Sequence, residues 1–221
     1  MNEHIGFNPR AQQNSNALSD FVVADLVSSC PAIQAAIKSG ALTPKKNSEV
    51  STASAVRTVD LVLFEEAKLS LVSVCVSVEN KSIMTAHGKA RKNRYGDIIA
   101  YSNHVHNHRK DCIAGAIVVI NVSPKYENPD EFAKGLKRPK FDMEKLVRET
   151  IGIFARIPLR AETEDPSDQP EALAVIVVDY DGESPAKLVT GLPAPQPTGS
   201  IHYENFIGRI CALYERRFSA R

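Results

Sequence analysis

The sequence predicts an α/β domain built on a mixed β-sheet with helices on both faces. Two long apolar runs, IAGAIVVINVS and ALAVIVVDYDG, are typical of strands that are covered on both sides. A third run, LSLVSVCVSVENKS, alternates valine with small or polar residues, as a strand with one buried face does. Stretches with helical spacing lie between these runs, so the predicted order is α, β, β, α, β, α, β, α.

Length and composition agree with a single globular domain. The 221 residues are 43% apolar and 24% charged, which is ordinary for a chain of this size. We find no signal peptide and no apolar segment of about 20 residues, so we expect a cytoplasmic protein without a membrane span. The four cysteines form no CxxC pair, which predicts free thiols in a reducing compartment. Glycine-rich phosphate-binding motifs are absent, so no nucleotide cofactor is expected.

The N-terminal part predicts two helices after a polar lead-in over residues 1–17. Apolar residues recur at helical spacing from Leu18 to Ile37. Ser19 or Asp20 is the expected N-cap, and Pro31 is expected to divide the stretch into two helices. The domain itself is therefore expected to begin at residue 18.

Two strands are predicted next, after a loop over residues 41–54. The runs 55–64 and 69–82 are joined by the short polar segment EEAK, which predicts an antiparallel β-hairpin. In the second strand the period of two places the valines on one face. The other face carries Ser73, Cys75, Ser77, Glu79 and Lys81.

The remaining elements follow the same patterns. They are a helix over 85–103, a strand over 113–123, a short helix or loop over 130–140, a helix over 141–157, a strand over 172–182 and a helix over 203–218. An acidic, proline-bearing segment over 158–172 is expected to be a mobile loop. The expected core spans 18–122, and residues 130–221 extend it with further sheet and helices.

A net charge of +1 conceals a segregated charge distribution. Residues 81–110 contain seven basic residues against a single acid, Asp97. A second basic cluster is formed by Lys134, Lys137, Arg138 and Lys140. Such clustering predicts a local basic face suited to a polyanion. The alternative is solvated charge without a partner.

Polar residues near the end of the hairpin are candidates for catalysis. Asp60 interrupts the apolar run VDLVLF, where an ionised carboxylate needs compensation. Glu79 and Lys81 project from one face of the adjacent strand, about 6–7 Å apart. Two carboxylates and a lysine suit metal-assisted phosphodiester hydrolysis, because carboxylate oxygens hold Mg²⁺ and the ammonium stabilises the transition state. The alternative is a salt bridge from Asp60 to Lys81 or Arg57, with Glu79 on the surface.

This pattern resembles the D…(D/E)xK signature of the PD-(D/E)xK nuclease superfamily, which includes many type II restriction endonucleases. Asp60 is followed by an 18-residue gap and by Glu79-Asn80-Lys81, although Val59 stands where the family pattern often has proline. The resemblance implies a restriction-endonuclease-like core with the order α-β-β-α-β. It implies Asp60 and Glu79 as ligands of Mg²⁺, replaceable by Mn²⁺, with the backbone carbonyl of Asn80 as a further ligand. Lys81 would be the catalytic lysine.

The segment after this motif, KSIMTAHGKARKNRYGDI, also resembles segments that follow the motif in restriction-enzyme-like proteins. There the helix carries basic and polar residues towards the scissile phosphate. The resemblance implies that DNA contacts lie at His87, Lys89, Arg91 and Arg94.

Other residues are candidates for accessory roles. An extra metal-site acid could come from Asp20, Asp25 or Glu49, each of which is otherwise a surface or capping residue. DNA recognition could involve the second basic cluster together with Arg209, Arg216 and Arg217. Three histidines, His104, His106 and His108, alternate in the segment HVHNH. We expect them to lie in a loop and to face DNA or solvent, with a zinc site as the alternative.

The predicted function is therefore a Mg²⁺-dependent endonuclease acting on double-stranded DNA, as a type II restriction enzyme or a related defence enzyme. A homodimer is expected, because two sites related by a two-fold axis would cut both strands. One alternative is a structure- or end-specific repair or recombination nuclease with the same active site. Another is a non-catalytic DNA-binding or assembly subunit of the same fold.

Overall fold

The computed structural model describes residues 12–65, 73–126 and 142–219. The helices are α1 (Gln12–Ser29), α2 (Pro31–Lys38), α3 (His87–His108), α4 (Met143–Phe154) and α5 (Tyr203–Phe218). The strands are β1 (Leu42–Ser51), β2 (Val56–Glu65), β3 (Ser73–Ile83), β4 (Ile113–Asn121), β5 (Ala172–Asp179) and β6 (Lys187–Val189).

The strands form one six-stranded mixed sheet in the order β1-β2-β3-β4-β5-β6. Strands β1, β2 and β3 are antiparallel neighbours, whereas β3, β4 and β5 are parallel. The short edge strand β6 pairs antiparallel with β5. A parallel pair needs a crossover connection, and α3 supplies it between β3 and β4. The predicted α/β class with a mixed sheet and flanking helices is confirmed.

Helices cover both faces of the sheet because the central strands are apolar on both sides. Along β4, Ile117 packs in the core beneath α1, α2 and α5, whereas Val118 and Ile120 pack in the core beneath α3 and α4. Gly115 lets α5 approach closely, since a Cβ there would lie 3.0 Å from the ring of Phe206. The sheet thus lies between two helical layers.

The N-terminal third contains more regular structure than the sequence pattern predicts. The first helix begins at Gln12, so it extends into the last residues of the predicted polar lead-in, and neither Ser19 nor Asp20 is its N-cap. The division of the helices at Pro31 is confirmed. The predicted loop over 41–54 is wrong, because most of it forms the edge strand β1.

The C-terminal half also departs from prediction at several points. Helix α3 continues to His108, and β6 lies within a stretch that shows no strand pattern. The segment over 158–172 is anchored rather than loose, because Arg160 and Glu171 are fully buried. The expected short element over 130–140 lies outside the described residues.

No single helix among the described residues is long and apolar enough to cross a membrane. Helices α1 and α2 reach that length and composition only as a pair, and they are bent by 107° at their junction.

Candidate functional site

The candidate site lies where β2 and β3 stop pairing. Their antiparallel register runs from Glu65 opposite Ser73 to Leu61 opposite Val78, with a shift after Leu63. Just beyond the last pair, the backbone N–H of Asn80 donates to the side chain of Asp60 instead of to a backbone carbonyl of β2. The hydrogen bond to Asp60 Oδ2 is 2.8 Å long. The two strands therefore separate at the residues that the sequence pattern singles out.

Helix α1 closes one side of this opening. The Ser15 hydroxyl donates to Asp60 Oδ1 at 2.7 Å. The Asn80 amide donates to the Ser15 hydroxyl at 3.0 Å and to the Ser19 hydroxyl at 3.1 Å. Asp60 and the Asn80 side chain are thus held by the first helix, through two serines on adjacent turns.

The other side of the opening is a buried ion-pair group. Glu79 is only 3% exposed, and its Oε1 accepts from Lys81 Nζ and, at 2.9 Å, from Arg57. The Arg57 guanidinium lies 5.6 Å from the centre of the Tyr101 ring in α3. The Tyr101 hydroxyl is 2.7 Å from the Ser77 hydroxyl, and burial raises the pKa of this tyrosine well above its usual range.

The structure brings the predicted residues to one end of the hairpin but divides them between two sets of partners. Asp60 contacts α1 and the β3 backbone, whereas Glu79 and Lys81 pair with each other and with Arg57. The simple salt-bridge alternative is wrong, since both cations pair with Glu79, which is buried rather than on the surface. The shared face predicted for Glu79 and Lys81 agrees with their ion pair.

The oxygen atoms at this point are chemically suited to a hard cation. Glu79 Oε2 is buried and has no hydrogen-bond partner among the described residues. The N–H and C=O of one strand residue point to the same side, so the Asn80 carbonyl faces the Asp60 side. Carboxylate and carbonyl oxygens are the ligands that Mg²⁺ prefers, and a buried carboxylate oxygen without a partner is costly unless a cation or donor reaches it. The donor atoms are therefore of the type that Mg²⁺ prefers, but the contacts of Asp60 with α1 and of Glu79 with Arg57 beside α3 direct the two carboxylates towards opposite faces of the sheet.

The residues predicted to contact DNA differ in their availability. Lys89 is exposed near the start of α3. Arg91 pairs with Glu149 at 3.2 Å, and Arg94 pairs with Asp97 at 2.7 Å. His87 is 1% exposed and its Nε2 bonds to the carbonyl of Asn121 at 2.8 Å, so the prediction of a DNA contact there is corrected.

Fewer basic side chains are available in the predicted basic face than the number of basic residues in residues 81–110 indicates. Five of the seven basic side chains in the 81–110 stretch form ion pairs with acids, namely Lys81, Arg91, Arg94, Arg109 and Lys110. Lys89 and Lys92 remain exposed. The cluster Lys134, Lys137, Arg138 and Lys140 lies outside the described residues.

The three histidines of the HVHNH run all form hydrogen bonds within the chain. They lie in the last turns of α3, not in a loop. His104 and His108 donate to the carbonyls of Val50 and Ser51 in β1. His106 points elsewhere, to buried Glu171 at 2.9 Å. Because the three histidines bond to different partners, their described contacts do not form a zinc site.

Two C-terminal arginines proposed for DNA recognition belong instead to a buried cluster. Glu171 is 0% exposed and pairs with Arg160 at 3.1 Å and with Arg217 at 2.9 Å. Arg209 binds the backbone carbonyls of Glu171 and Arg160. Burial alone would raise the pKa of Glu171, but the bonds from His106, Ala114 N–H and Arg217 hold that pKa below its usual value.

Two of the three candidate accessory acids have other partners. Asp20 pairs with Lys46 at 2.7 Å, and Asp25 accepts a hydrogen bond from Tyr203 at 2.8 Å. Glu49 is exposed on the edge strand β1. The first helix contributes Ser15 and Ser19 to the site instead of an acid.

Three residues of the site were not identified from the sequence as functional. Ser15 falls within the stretch that resembles a polar lead-in, and the sequence indicates Ser19 only as an N-cap. Arg57 is indicated only as a partner of Asp60. The polar residues at 15 and 19 are spaced by four, which on a helix places them on one face and is the pattern that could have identified them.

Comparison of the chain with protein-family models, with curated proteins and with solved structures finds no match.

Proposed function

We propose that this protein is a Mg²⁺-dependent endonuclease that hydrolyses phosphodiester bonds of double-stranded DNA. The observation that carries the proposal is the buried, unpartnered Oε2 of Glu79 beside Lys81, where β2 and β3 separate around Asp60. The resemblance to the PD-(D/E)xK signature supports the same assignment. The site combines hard oxygen ligands with an ammonium group, which is the set that this reaction requires.

Each residue has a distinct task in this proposal. Asp60, Glu79 and the Asn80 carbonyl would hold Mg²⁺, with Mn²⁺ as a substitute. The ion supplies Lewis-acid activation of the phosphate and lowers the pKa of a bound water. Lys81 orients the attacking water and stabilises charge on the phosphate in the transition state. Ser15 and Arg57 act as positioning residues, because they hold Asp60 and Glu79 respectively.

The proposed site requires a local rearrangement to bind the ion. Both oxygens of Asp60 and one oxygen of Glu79 already accept hydrogen bonds within the chain. Arg57 and Lys81 share a single Glu79 oxygen, so release of Arg57 would leave Lys81 in place while the carboxylate turns towards the ion. Catalytic hydrogen bonds often reorganise when substrate binds.

The biological setting is also a proposal. DNA would approach along the start of α3, where Lys89 is exposed and where Arg91 and Arg94 lie on the following turns. We propose a cytoplasmic homodimer that acts as a type II restriction enzyme or a related defence enzyme. A repair or recombination nuclease with the same site would differ in requiring branched or free-ended DNA.

A non-catalytic DNA-binding or assembly subunit is the second candidate. It is favoured by the bond of Asp60 to the Asn80 N–H and by the ion pairs of Glu79 with Arg57 and Lys81, which stabilise the hairpin without any ion. In this case the ion-pair group would be structural. The residues Lys89 and Lys92 would then contribute to DNA binding alone.

The experiment that tests these candidates is cleavage of plasmid and of branched DNA with Mg²⁺, with Mn²⁺ and with EDTA. Metal-dependent cutting of covalently closed plasmid supports the endonuclease, and discrete fragments support a restriction enzyme. Cutting of branched or free-ended DNA alone supports the repair nuclease. Salt-sensitive DNA binding without cleavage of any substrate supports the second candidate and contradicts the endonuclease.

A further inference from the structure

A group of potential metal ligands lies where the first two helices meet the C-terminal helix. It consists of Cys30, at the junction of α1 and α2, and of Cys211 and Glu215 on α5. One sulfur from each cysteine and one carboxylate oxygen all lie within 4.8 Å of one another. Within the described parts of the chain, no other group of three such side chains is this close.

The fold explains why these residues meet. Cys30 is 0% exposed, because the break between α1 and α2 turns it into the core beneath α5. Cys211 and Glu215 are four residues apart on α5, and this spacing places two side chains on one helix face. Cys211 is half-buried and Glu215 is exposed, so the group extends from the core to the surface. Solvent ions can therefore reach it from the Glu215 side.

The separation of one sulfur and one oxygen in this group is close to that of a tetrahedral zinc-type site. Bond lengths of about 2.3 Å to sulfur and about 2.1 Å to oxygen place a sulfur and an oxygen ligand about 3.6 Å apart at the tetrahedral angle. The separation of Cys211 Sγ and Glu215 Oε1 is 3.8 Å. Rotation of the exposed Glu215 side chain would bring its oxygen to the ligand separation from Cys211.

We propose that Cys30, Cys211 and Glu215 form a binding site for one thiophilic divalent cation of the Zn²⁺ type, with water as the fourth ligand. Two thiolates select Zn²⁺ or Cd²⁺ over Mg²⁺, which prefers oxygen ligands. The site is thus chemically distinct from the proposed Mg²⁺ site at Asp60 and Glu79. It ties the α1–α2 junction to the C-terminal helix, and metal binding is coupled to release of the thiol protons.

The test is titration of the reduced, metal-free full chain with Cd²⁺, followed by the ultraviolet charge-transfer absorption of the thiolate–cadmium bond. Zn²⁺ affinity is then measured by competition with a chromophoric chelator. We expect one equivalent of Cd²⁺ to bind and a large excess of Mg²⁺ not to displace it. Cys211→Ser should weaken Zn²⁺ binding by about 100-fold or more, since even groups outside the ligand shell are worth about 10–100-fold.

Matched variants make the result specific. Glu215→Gln should weaken binding, whereas Glu204→Gln, at an exposed glutamate of the same helix, should not. Cys112→Ala, which removes a buried thiol elsewhere in the fold, should also leave binding unchanged. Circular dichroism establishes that each variant is folded. No charge-transfer band in the reduced protein, or equal bands in wild type and Cys211→Ser, would overturn the proposal.

Discussion

Replacement of Glu171 by glutamine tests a charged group that is fully buried. The carboxylate is 0% exposed and accepts from four donors, which are Arg160 at 3.1 Å, Arg217 at 2.9 Å, His106 at 2.9 Å and the Ala114 N–H at 2.8 Å. Glutamine has nearly the same shape but no charge. The NH₂ group of glutamine is a hydrogen-bond donor, so it cannot accept the hydrogen bonds that one carboxylate oxygen of Glu171 accepts.

The expected cost follows from the burial of the partners. Loss of the carboxylate removes the ion-pair partner of two guanidinium groups, whose side-chain exposures are 1% and 6%. Breaking one partner of a buried pair costs about 3–5 kcal/mol in the free energy of unfolding. For a chain of this size that corresponds to a fall in Tm of about 6–20 °C.

The effect should depend on pH with a defined sign. The pKa of Glu171 is lowered in the folded protein, so its contribution to stability is present above its unfolded pKa of about 4.3. That contribution is lost as the pH falls through the lower folded pKa. The stability difference between wild type and Glu171→Gln should therefore be largest at neutral pH and should shrink in acid.

The assay is urea unfolding of wild type and Glu171→Gln at neutral and acid pH, with Glu183→Gln as an exposed control. The control should lie within about 0.5 kcal/mol of wild type. A loss below about 1 kcal/mol at neutral pH, or a difference that does not change with pH, would refute the reasoning. Such a result would mean that the charge pairing does not stabilise this end of the sheet.

Three further predictions concern packing, the candidate site and the thiols. Gly115→Ala should lower the free energy of unfolding by about 1–3 kcal/mol, since its methyl group would lie 3.0 Å from a ring of α5. The control Gly96→Ala, in open space on α3, should not be destabilising. Equal thermal stabilities of the two variants would contradict this prediction. Ser15→Ala should lower the free energy of unfolding by about 1–3 kcal/mol, because it removes the hydroxyl that bonds to Asp60 and Asn80. The variant should also slow any metal-dependent cleavage. A variant as stable as wild type would exclude an anchoring role for Ser15. Burial raises the pKa of Cys75 to about 12. Alkylation of this thiol at pH 8, measured by mass spectrometry, should therefore be far slower in folded than in unfolded protein. Equal rates would contradict the burial of Cys75.

The apolar elements of the fold could be predicted because their patterns are determined by burial on two faces. The strands β4 and β5 are continuous apolar runs, and the break at Pro31 follows from the missing backbone donor of proline. Helix α5 has the predicted bounds, since its buried residues recur at helical spacing.

The elements that were missed lie at edges or depend on distant partners. Strand β1 is an edge strand whose proline and lysines resemble a loop, and its buried residues are only Leu42 and Val50. The burial of Arg160 and Glu171 depends on α3 and α5, which no local pattern reveals. Periodicity reports which face of an element is apolar, but not which charges will meet.

The candidate site could be predicted in part for the same reason. The alternation of β3 places Glu79 and Lys81 together, and the ion pair between them agrees with that expectation. The contribution of α1 could not be foreseen, because Ser15 bonds to Asp60 across 45 positions of the chain. The insertion of Arg57 between Glu79 and Tyr101 likewise depends on how α3 packs on the sheet.

The most direct test of the central proposal is the Mg²⁺-dependent cleavage rate of a plasmid by wild type, Lys81→Ala and Asp60→Asn. Lys45→Ala, at an exposed lysine of β1, is the matched control. We expect wild type and Lys45→Ala to cleave equally, EDTA to abolish cleavage, and both site variants to be slower by about 100-fold or more while still folded and able to bind DNA. Equal cleavage by wild type and Lys81→Ala would contradict the proposed mechanism.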